Sequence, residues 1–198
     1  LSKKSLSRVK GFEFWEKNLL VTYHPVTLEK ETSKQQLNFL LKELELLSDT
    51  KIIFTLPNAD TDSRIIYKMI KNFVSSNKKR SIYFTSMGHI NYLSTLQFVD
   101  AVVGNSSSGL TEAPSFKIGT INIGDRQKGR LKADSIIDCQ PNSKSIKVAL
   151  EKLYSVDFQS KLKFVKNPYG KGDASDKILK ILKNEPIPTN LKKKFFNL

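Results

Sequence analysis

The 198-residue sequence predicts an α/β fold, a Rossmann-like, doubly wound parallel sheet. Short runs rich in β-branched residues alternate with longer segments of helical period, a pattern typical of βαβ units. Units of this kind build a parallel sheet that helices cover on both faces. The length suits one well-buried domain, so we expect no second full domain.

Six of the β-branched runs are assigned as strands. In chain order they cover residues 19–23, 51–56, 81–85, 101–103, 120–123 and 135–138. Between the first two, leucines at three- and four-residue intervals predict a helix over 33–48. We interpret its apolar face as core rather than as a cofactor site. Further helices are predicted over 62–75, 90–98, 109–116, 143–154 and 174–183.

The net charge of +14 raises the question of nucleic-acid binding, since clustered cations release counterions from a phosphate backbone. Most of the basic residues are lysines spread over predicted helices and tails, without interleaved aromatic residues or a recognisable nucleic-acid motif. We therefore interpret the charge as a solvated, lysine-rich surface and expect no nucleic-acid partner.

A single cysteine, Cys139, excludes an internal disulfide and points to a reducing, cytoplasmic compartment. Its apolar neighbours favour a packing role in the core. Neither a membrane span nor an apolar signal segment is expected, so the protein should be soluble. Because the chain opens on Leu1 and a charged segment, we expect it to be part of a longer polypeptide.

In open parallel sheets ligands bind outside the carboxyl ends of the strands, and the loops predicted there are polar. The most informative of them lies within the segment GNSSSGLTEAPSF, residues 104–116, which follows the fourth strand. We call residues 104–108 the serine loop. A strand that ends in small residues and opens a helix presents free N–H groups and a positive dipole end, which suits a phosphate.

Two other interpretations of these loops fail on spacing. The serine loop lacks the Gly-x-Ser-x-Gly spacing of a hydrolase nucleophile elbow, and the chain has only two histidines. The turn GDRQKGR, residues 124–130, has the glycine spacing of a phosphate loop but not its Lys-Ser/Thr ending. Neither motif therefore assigns a function.

Each of four side chains in these loops can be interpreted either as a ligand-binding residue or as a structural one. Glu112 suits a ribose diol or a helix terminus, and His24 suits a phosphate oxygen or a structural hydrogen bond. Asn58 suits a nucleotide or a turn, and Arg126 suits a diphosphate or a surface ion pair. The predicted topology brings their loops to one edge of the sheet, where together they suit a nucleotide diphosphate.

The segments 104–116 and NIGDRQKGR, residues 122–130, resemble UDP-N-acetylglucosamine 2-epimerases. The segment VTYHPVT, residues 21–27, resembles the hydrolysing branch, because the other branch usually has His-Arg where this chain has His24-Pro25. The segment NPYGKGDAS, residues 167–175, is similar to the family's closing motif. The resemblance runs from about residue 18 to residue 183.

This resemblance implies the C-terminal half of a two-domain GT-B fold. The sequence itself predicts a linker over 1–17 and a C-terminal tail over 185–198, which leaves the nucleotide-binding domain over 18–184. The matching positions are His24 and Asn58 near the nucleotide, Met87 against the base, Ser106 and Ser107 on the phosphates, Glu112 on the ribose and Arg126 beside the diphosphate.

The implied reaction eliminates UDP across C1–C2 and then hydrates the glycal, which releases a mannose-configured N-acetyl amino sugar. His24 and Arg126 would stabilise the leaving group, whereas the acid and base groups of the family lie largely in the N-terminal half. We therefore expect this chain to bind nucleotide without turnover, with no metal or cofactor. A homodimer is common in the family, and the absent N-terminal domain is an expected partner.

Three questions stay open at this level. The chain also suits the donor-binding half of a GT-B glycosyltransferase, or a noncatalytic nucleotide-sugar or RNA-binding module. The sugar is N-acetylglucosamine or a 2,4-diacetamido relative, in sialic-acid-like pathways. UDP is preferred over GDP. Because the base would be contacted mostly by backbone atoms, the side chains alone do not distinguish the two nucleotides.

Overall fold

The computed structural model describes residues 1–26, 32–57, 63–170 and 172–186. It contains a six-stranded sheet in the order β3-β2-β1-β4-β5-β6, with every neighbouring pair parallel. The strands are β1 Lys17–Thr22, β2 Thr50–Thr55, β3 Ser81–Phe84, β4 Ala101–Gly104, β5 Gly119–Ile123 and β6 Ile136–Cys139. All six predicted strands and the predicted fold class are confirmed.

Helices cover both faces of this sheet. They are α1 Lys3–Lys10, α2 Thr32–Glu45, α3 Ser63–Ser76, α4 His89–Leu96, α5 Ser108–Thr111, α6 Ser143–Leu153, α7 Val156–Leu162 and α8 Ala174–Asn184, with a 3₁₀ helix at Ala113–Phe116. On one face α2, α3 and α6 bury a large apolar cluster that includes Leu37, Ile66 and Leu150. On the other face a smaller cluster surrounds Leu20 and Ile53.

Residues 1–168 form one compact unit, and a second unit begins at Tyr169. Within the second unit, α8 is amphipathic, and its Ile178 and Leu182 are exposed. Most of the tail predicted over 185–198 lies outside the described residues. No helix in the described part of the chain is long and apolar enough to cross a membrane.

The first 17 residues differ from the predicted linker. They contain α1, which begins after the N-cap Ser2 and ends at Gly11 in the left-handed region. Leu6 is fully buried, and Phe12 packs against Phe84 with ring centroids 5.8 Å apart. Leu6 and Phe12 in this charged segment are thus part of the core and anchor the helix to it.

The helix predicted over 109–116 is divided. The α-helix α5 ends at Thr111 and a 3₁₀ helix follows, because Pro114 has no N–H to continue an α-helical ladder. Helix α7 was not predicted; it is capped by Ser155, and it buries Phe158. Cys139 lies in the apolar core as predicted, and burial raises the pKa of its thiol to about 12.

Candidate functional site

A cavity of about 360 Å³ lies at the carboxyl ends of β1 to β4, which we call the carboxyl edge of the sheet. Its lining combines three predicted site residues, His24, Met87 and Ser106, with residues that the sequence analysis did not select. The complete lining is Thr22, His24, Thr55, Leu56, Thr85, Ser86, Met87, Gly88, His89, Tyr92, Ser106 and Ser108. The parallel topology thus brings four loops that are distant in sequence to one cavity.

The serine loop leaves β4 through an unusually close contact with β1. Gly104 has a φ of 134°, and a Cβ built on it would lie 1.9 Å from the carbonyl oxygen of Thr22. Only glycine fits there, since both the conformation and the approach exclude a side chain. The Asn105 N–H then donates to the same Thr22 oxygen at 3.2 Å.

The next two residues, Ser106 and Ser107, keep their hydrogen-bond donors available. Within the described part of the chain, neither the hydroxyls nor the backbone N–H groups of Ser106 and Ser107 form a hydrogen bond. Helix α5 spans only four residues, so the available donors are these local groups rather than the end of a long dipole. The loop can therefore offer up to four donors to an anion.

His24 is 8% exposed, and its main chain is fixed by a side chain of the serine loop. The His24 N–H donates to Asn105 Oδ1 at 2.7 Å, and Asn105 Nδ2 donates to the His24 carbonyl oxygen at 2.8 Å. The following Pro25 restricts His24 to extended backbone. Together these features hold the imidazole at the rim of the cavity.

The turn after β5 reaches the same point. Arg126 Nη1 donates to the Asn105 carbonyl oxygen at 3.1 Å, and Gln127 Nε2 donates to that oxygen at 2.8 Å. Gln127 is buried, whereas Arg126 is exposed. The structure therefore brings the predicted Arg126 cation to the serine loop, although it does not line the cavity itself.

Glu112 is half-buried at the end of α5, and its carboxylate forms no hydrogen bond within the described part of the chain. Its charge acts on the Tyr92 phenol in the cavity wall, which is hydrogen-bonded to the Ser108 hydroxyl. Burial raises the pKa of Tyr92 to about 12; the Ser108 bond opposes this and the Glu112 charge adds to it. Tyr92 is thus a neutral phenol at physiological pH.

Met87 is buried, 3% exposed, in the loop between β3 and α4. Its carbonyl oxygen accepts a hydrogen bond from Asn91 Nδ2 at 2.9 Å, and Gly88 follows with a φ of 70°. Asn58, the remaining predicted site residue, lies outside the described residues. Among the residues that the structure describes, no three His, Cys, Asp or Glu side chains are placed to hold a metal ion.

Sequence reasoning did not select Asn105, Gln127, Tyr92 and Ser108. Asn105 and Ser108 lie inside the serine loop, so their position in the motif was a usable signal. Gln127 lies next to Arg126 and could have been found in the same way. Tyr92 had no such signal, because it looks like one more apolar residue of a helix until α4 is folded against the serine loop.

The chain matches the family model described as UDP-N-acetylglucosamine 2-epimerase over residues 2–183. A Campylobacter jejuni protein named GDP/UDP-N,N'-diacetylbacillosamine 2-epimerase (hydrolyzing) is 40% identical over 199 residues, all of this chain and 51% of that protein. Polysialic acid biosynthesis protein P7 of Escherichia coli is 35% identical, over 93% of this chain and 47% of its own length.

Among solved structures, the S. aureus MnaA–UDP co-structure aligns with a TM-score of 0.70 at 15% identity, covering 92% of this chain and 48% of that one. This likeness confirms the expected GT-B type of fold. The chain spans about half the length of the curated relatives that it matches, and the matching part is their C-terminal half.

Proposed function

The chain belongs to the UDP-N-acetylglucosamine 2-epimerase family, and from this premise we propose that it is the nucleotide-binding part of a hydrolysing UDP-sugar 2-epimerase. The whole enzyme would eliminate UDP across C1–C2 of the sugar and hydrate the glycal. The product would be a mannose-configured N-acetyl amino sugar. In this division of labour, residues 18–184 bind the UDP portion of the substrate.

The observation that carries the proposal is the set of available donors beside an arginine. The hydroxyl and N–H groups of Ser106 and Ser107 have no partner within the described residues, and Arg126 is held against the same loop. Convergent donors and one cation suit a diphosphate. They would bind departing UDP more tightly as its negative charge grows, which lowers the barrier to elimination.

The remaining residues fit the other parts of the nucleotide. We assign His24, at the rim of the cavity, to the diphosphate, and Glu112 to the ribose hydroxyls. Met87 would lie against the base, and Asn58 would contact the nucleotide from the loop after β2. Catalysis in this chain is limited to leaving-group stabilisation by His24 and Arg126.

For the sugar, the names of the relatives favour a diacetamido substrate. The C. jejuni relative is named for N,N'-diacetylbacillosamine, and the E. coli relative for polysialic acid biosynthesis. We therefore propose a UDP-2,4-diacetamido sugar, with UDP-N-acetylglucosamine as the second candidate, feeding a sialic-acid-like pathway in the cytoplasm. The family match favours the epimerase over the donor half of a glycosyltransferase.

The proton-transfer groups would come from the other half of the whole enzyme. The relatives are about twice as long as this chain, and no carboxylate lines the described cavity. We propose that the chain alone binds UDP without turnover, and that the whole enzyme forms a homodimer.

The test is calorimetric titration of the chain with UDP and with GDP, together with Arg126→Ala and Glu112→Ala. We expect saturable UDP binding that both substitutions weaken by about tenfold. Arg64→Ala, which removes an exposed arginine on α3, and Glu151→Ala, on the exposed side of α6, are the matched controls and should bind like wild type. Unchanged affinity in both site variants would contradict the assignment.

A further inference from the structure

We propose that Asn105 is a positioning residue that holds His24, the serine loop and the Arg126-bearing turn after β5 in the geometry that a nucleoside diphosphate requires. The inference rests on the function proposed above. It concerns a residue that makes no contact with the ligand in that proposal and acts through its neighbours.

The side chain of Asn105 extends the pairing of two strands beyond their ends. The β1–β4 ladder ends at Thr22 and Gly104, and the Asn105 N–H adds one further bond to Thr22. Its carboxamide then bonds both the N–H and the carbonyl oxygen of His24, at 2.7 and 2.8 Å. One side chain therefore does what the next pair of backbone groups would do in a longer ladder.

The main chain of Asn105 connects this pair to the turn after β5. Its carbonyl oxygen accepts from both Arg126 Nη1 and Gln127 Nε2, so both lone pairs are used. The Arg126 guanidinium is oriented by that bond while its other N–H groups stay available. Three loops that are remote in sequence thus depend on one residue.

Burial makes this arrangement rigid. Asn105 is 1% exposed and Gln127 2%, so water cannot replace their bonds. A displacement of about 1 Å in a binding group is enough to cost a large share of its effect. Removal of the Asn105 carboxamide would release the His24 main chain and free the Asn105 main chain to move, and with it the Arg126 cation that the Asn105 carbonyl oxygen holds.

A matched control exists at the opposite end of β1. Asn18 Oδ1 accepts from the Trp15 N–H at 2.8 Å, and Asn18 Nδ2 donates to the Trp15 carbonyl oxygen at 2.9 Å. Asn18 is 3% exposed. Asn18 and Asn105 thus make the same pair of side-chain bonds at the same depth, but only Asn105 lies at the carboxyl edge.

The experiment compares Asn105→Ala with Asn18→Ala in this 198-residue chain. Both variants should melt at lower temperature than wild type by similar amounts. The UDP dissociation constant should rise at least about tenfold in Asn105→Ala and stay within about twofold in Asn18→Ala. Neutral substitutions are used because a new carboxylate would repel UDP wherever the loops lie.

A second readout does not depend on nucleotide. The Arg126 Nε and Gln127 side-chain N–H resonances should shift in Asn105→Ala and not in Asn18→Ala, although neither group touches the deleted carboxamide. If Asn105→Ala does not fold, Asn105→Ser is measured in the same way.

Four results would overturn an assignment: the first three concern the positioning role, and the fourth concerns the proposed function. Unshifted Arg126 and Gln127 resonances, or wild-type UDP affinity in a folded Asn105 variant, overturn the positioning role alone. Equal loss of UDP affinity in the Asn18 and Asn105 variants also overturns it, because the effect would then follow stability. Absence of UDP binding by the wild-type chain instead overturns the proposed function.

Discussion

The two edges of the sheet use their polar residues differently. At the amino edge, where the strands begin, Asn18 and Asp100 are committed to the protein: Asn18 bonds the Trp15 main chain, and Asp100 accepts from the Asn18 N–H and the Tyr154 hydroxyl. At the carboxyl edge, Ser106 and Ser107 keep their donors available. The committed groups of the amino edge stabilise the fold, whereas the available donors of the serine loop lie in the proposed ligand site.

Arg80 is the strongest example of a committed group. Its guanidinium donates to the carbonyl oxygens of Leu44, Glu45 and Leu47, at 3.0 to 3.2 Å, and so satisfies the end of α2. The residue is 9% exposed. A buried cation that serves several helix-terminal carbonyls contributes stability, and this one directs four of its five N–H donors into the protein.

The largest expected effect breaks the close contact at the carboxyl edge. Gly104→Ala should cost about 4 kcal/mol of unfolding free energy, because its Cβ would overlap the Thr22 oxygen at a positive φ. Gly124→Ala, with a φ of 76° and no atom within 4 Å, isolates the conformational penalty and should cost about 1 kcal/mol. Denaturant unfolding measures both; equal losses would contradict the steric account.

The next prediction concerns Arg80, whose hydrogen bonds at the amino edge are made within the protein. Arg80→Ala should cost about 3 kcal/mol of unfolding free energy, because three carbonyl oxygens lose a charged donor. The UDP dissociation constant of the folded variant should not change. Lys79→Ala, an exposed neighbour, serves as the control and should lie within about 0.5 kcal/mol of wild type. A loss of UDP affinity in Arg80→Ala would contradict the proposal that polar groups at the amino edge stabilise the fold without contributing to ligand binding.

Substitution of Ser106 should have a smaller effect of the opposite kind, lowering UDP affinity and leaving stability almost unchanged. Ser106→Ala removes a hydroxyl without a partner in the described chain, so stability should change by less than about 0.5 kcal/mol. UDP affinity should fall about fivefold, the equivalent of one hydrogen bond. Ser155→Ala is the converse control: it removes the N-cap bond of α7 and should cost about 1 kcal/mol of stability without changing affinity.

The smallest effect is a pH dependence at the amino edge. Burial raises the pKa of Asp100, although its bonds from Asn18 and Tyr154 lower it. A carboxyl whose pKa is higher in the folded state gives stability that is complete below its unfolded pKa and is lost as pH rises through the folded one.

Asp100→Asn keeps an acceptor for both donors and removes the charge. Its unfolding free energy should match that of wild type below about pH 3.9 and exceed it by up to about 1 kcal/mol above the raised pKa. Thermal unfolding from pH 3 to pH 8 measures the difference, with the exposed Asp134→Asn as control. A variant that is less stable than wild type at neutral pH would show that the charge is stabilising.

Local patterns predicted the six strands and the serine loop, because β-branched runs and small-residue motifs are contiguous in sequence. Two predicted elements differ from the structure for local reasons. The segment 1–17 was predicted as a linker but contains a helix anchored by the buried Leu6. The single helix predicted over 109–116 is interrupted because Pro114 lacks an N–H. The bonds between Asn105 and His24 join residues 81 positions apart, so only the folded sheet reveals them.

The buried Cys139 has a practical consequence for studying the chain. A thiol with a pKa of about 12 is almost entirely protonated at neutral pH, and this one is also 8% exposed, so alkylating reagents will leave it unmodified in the folded protein. It is the single cysteine in the sequence. One engineered surface cysteine would therefore carry a fluorophore or spin label without background, and loop motion at the carboxyl edge becomes observable in an otherwise natural chain.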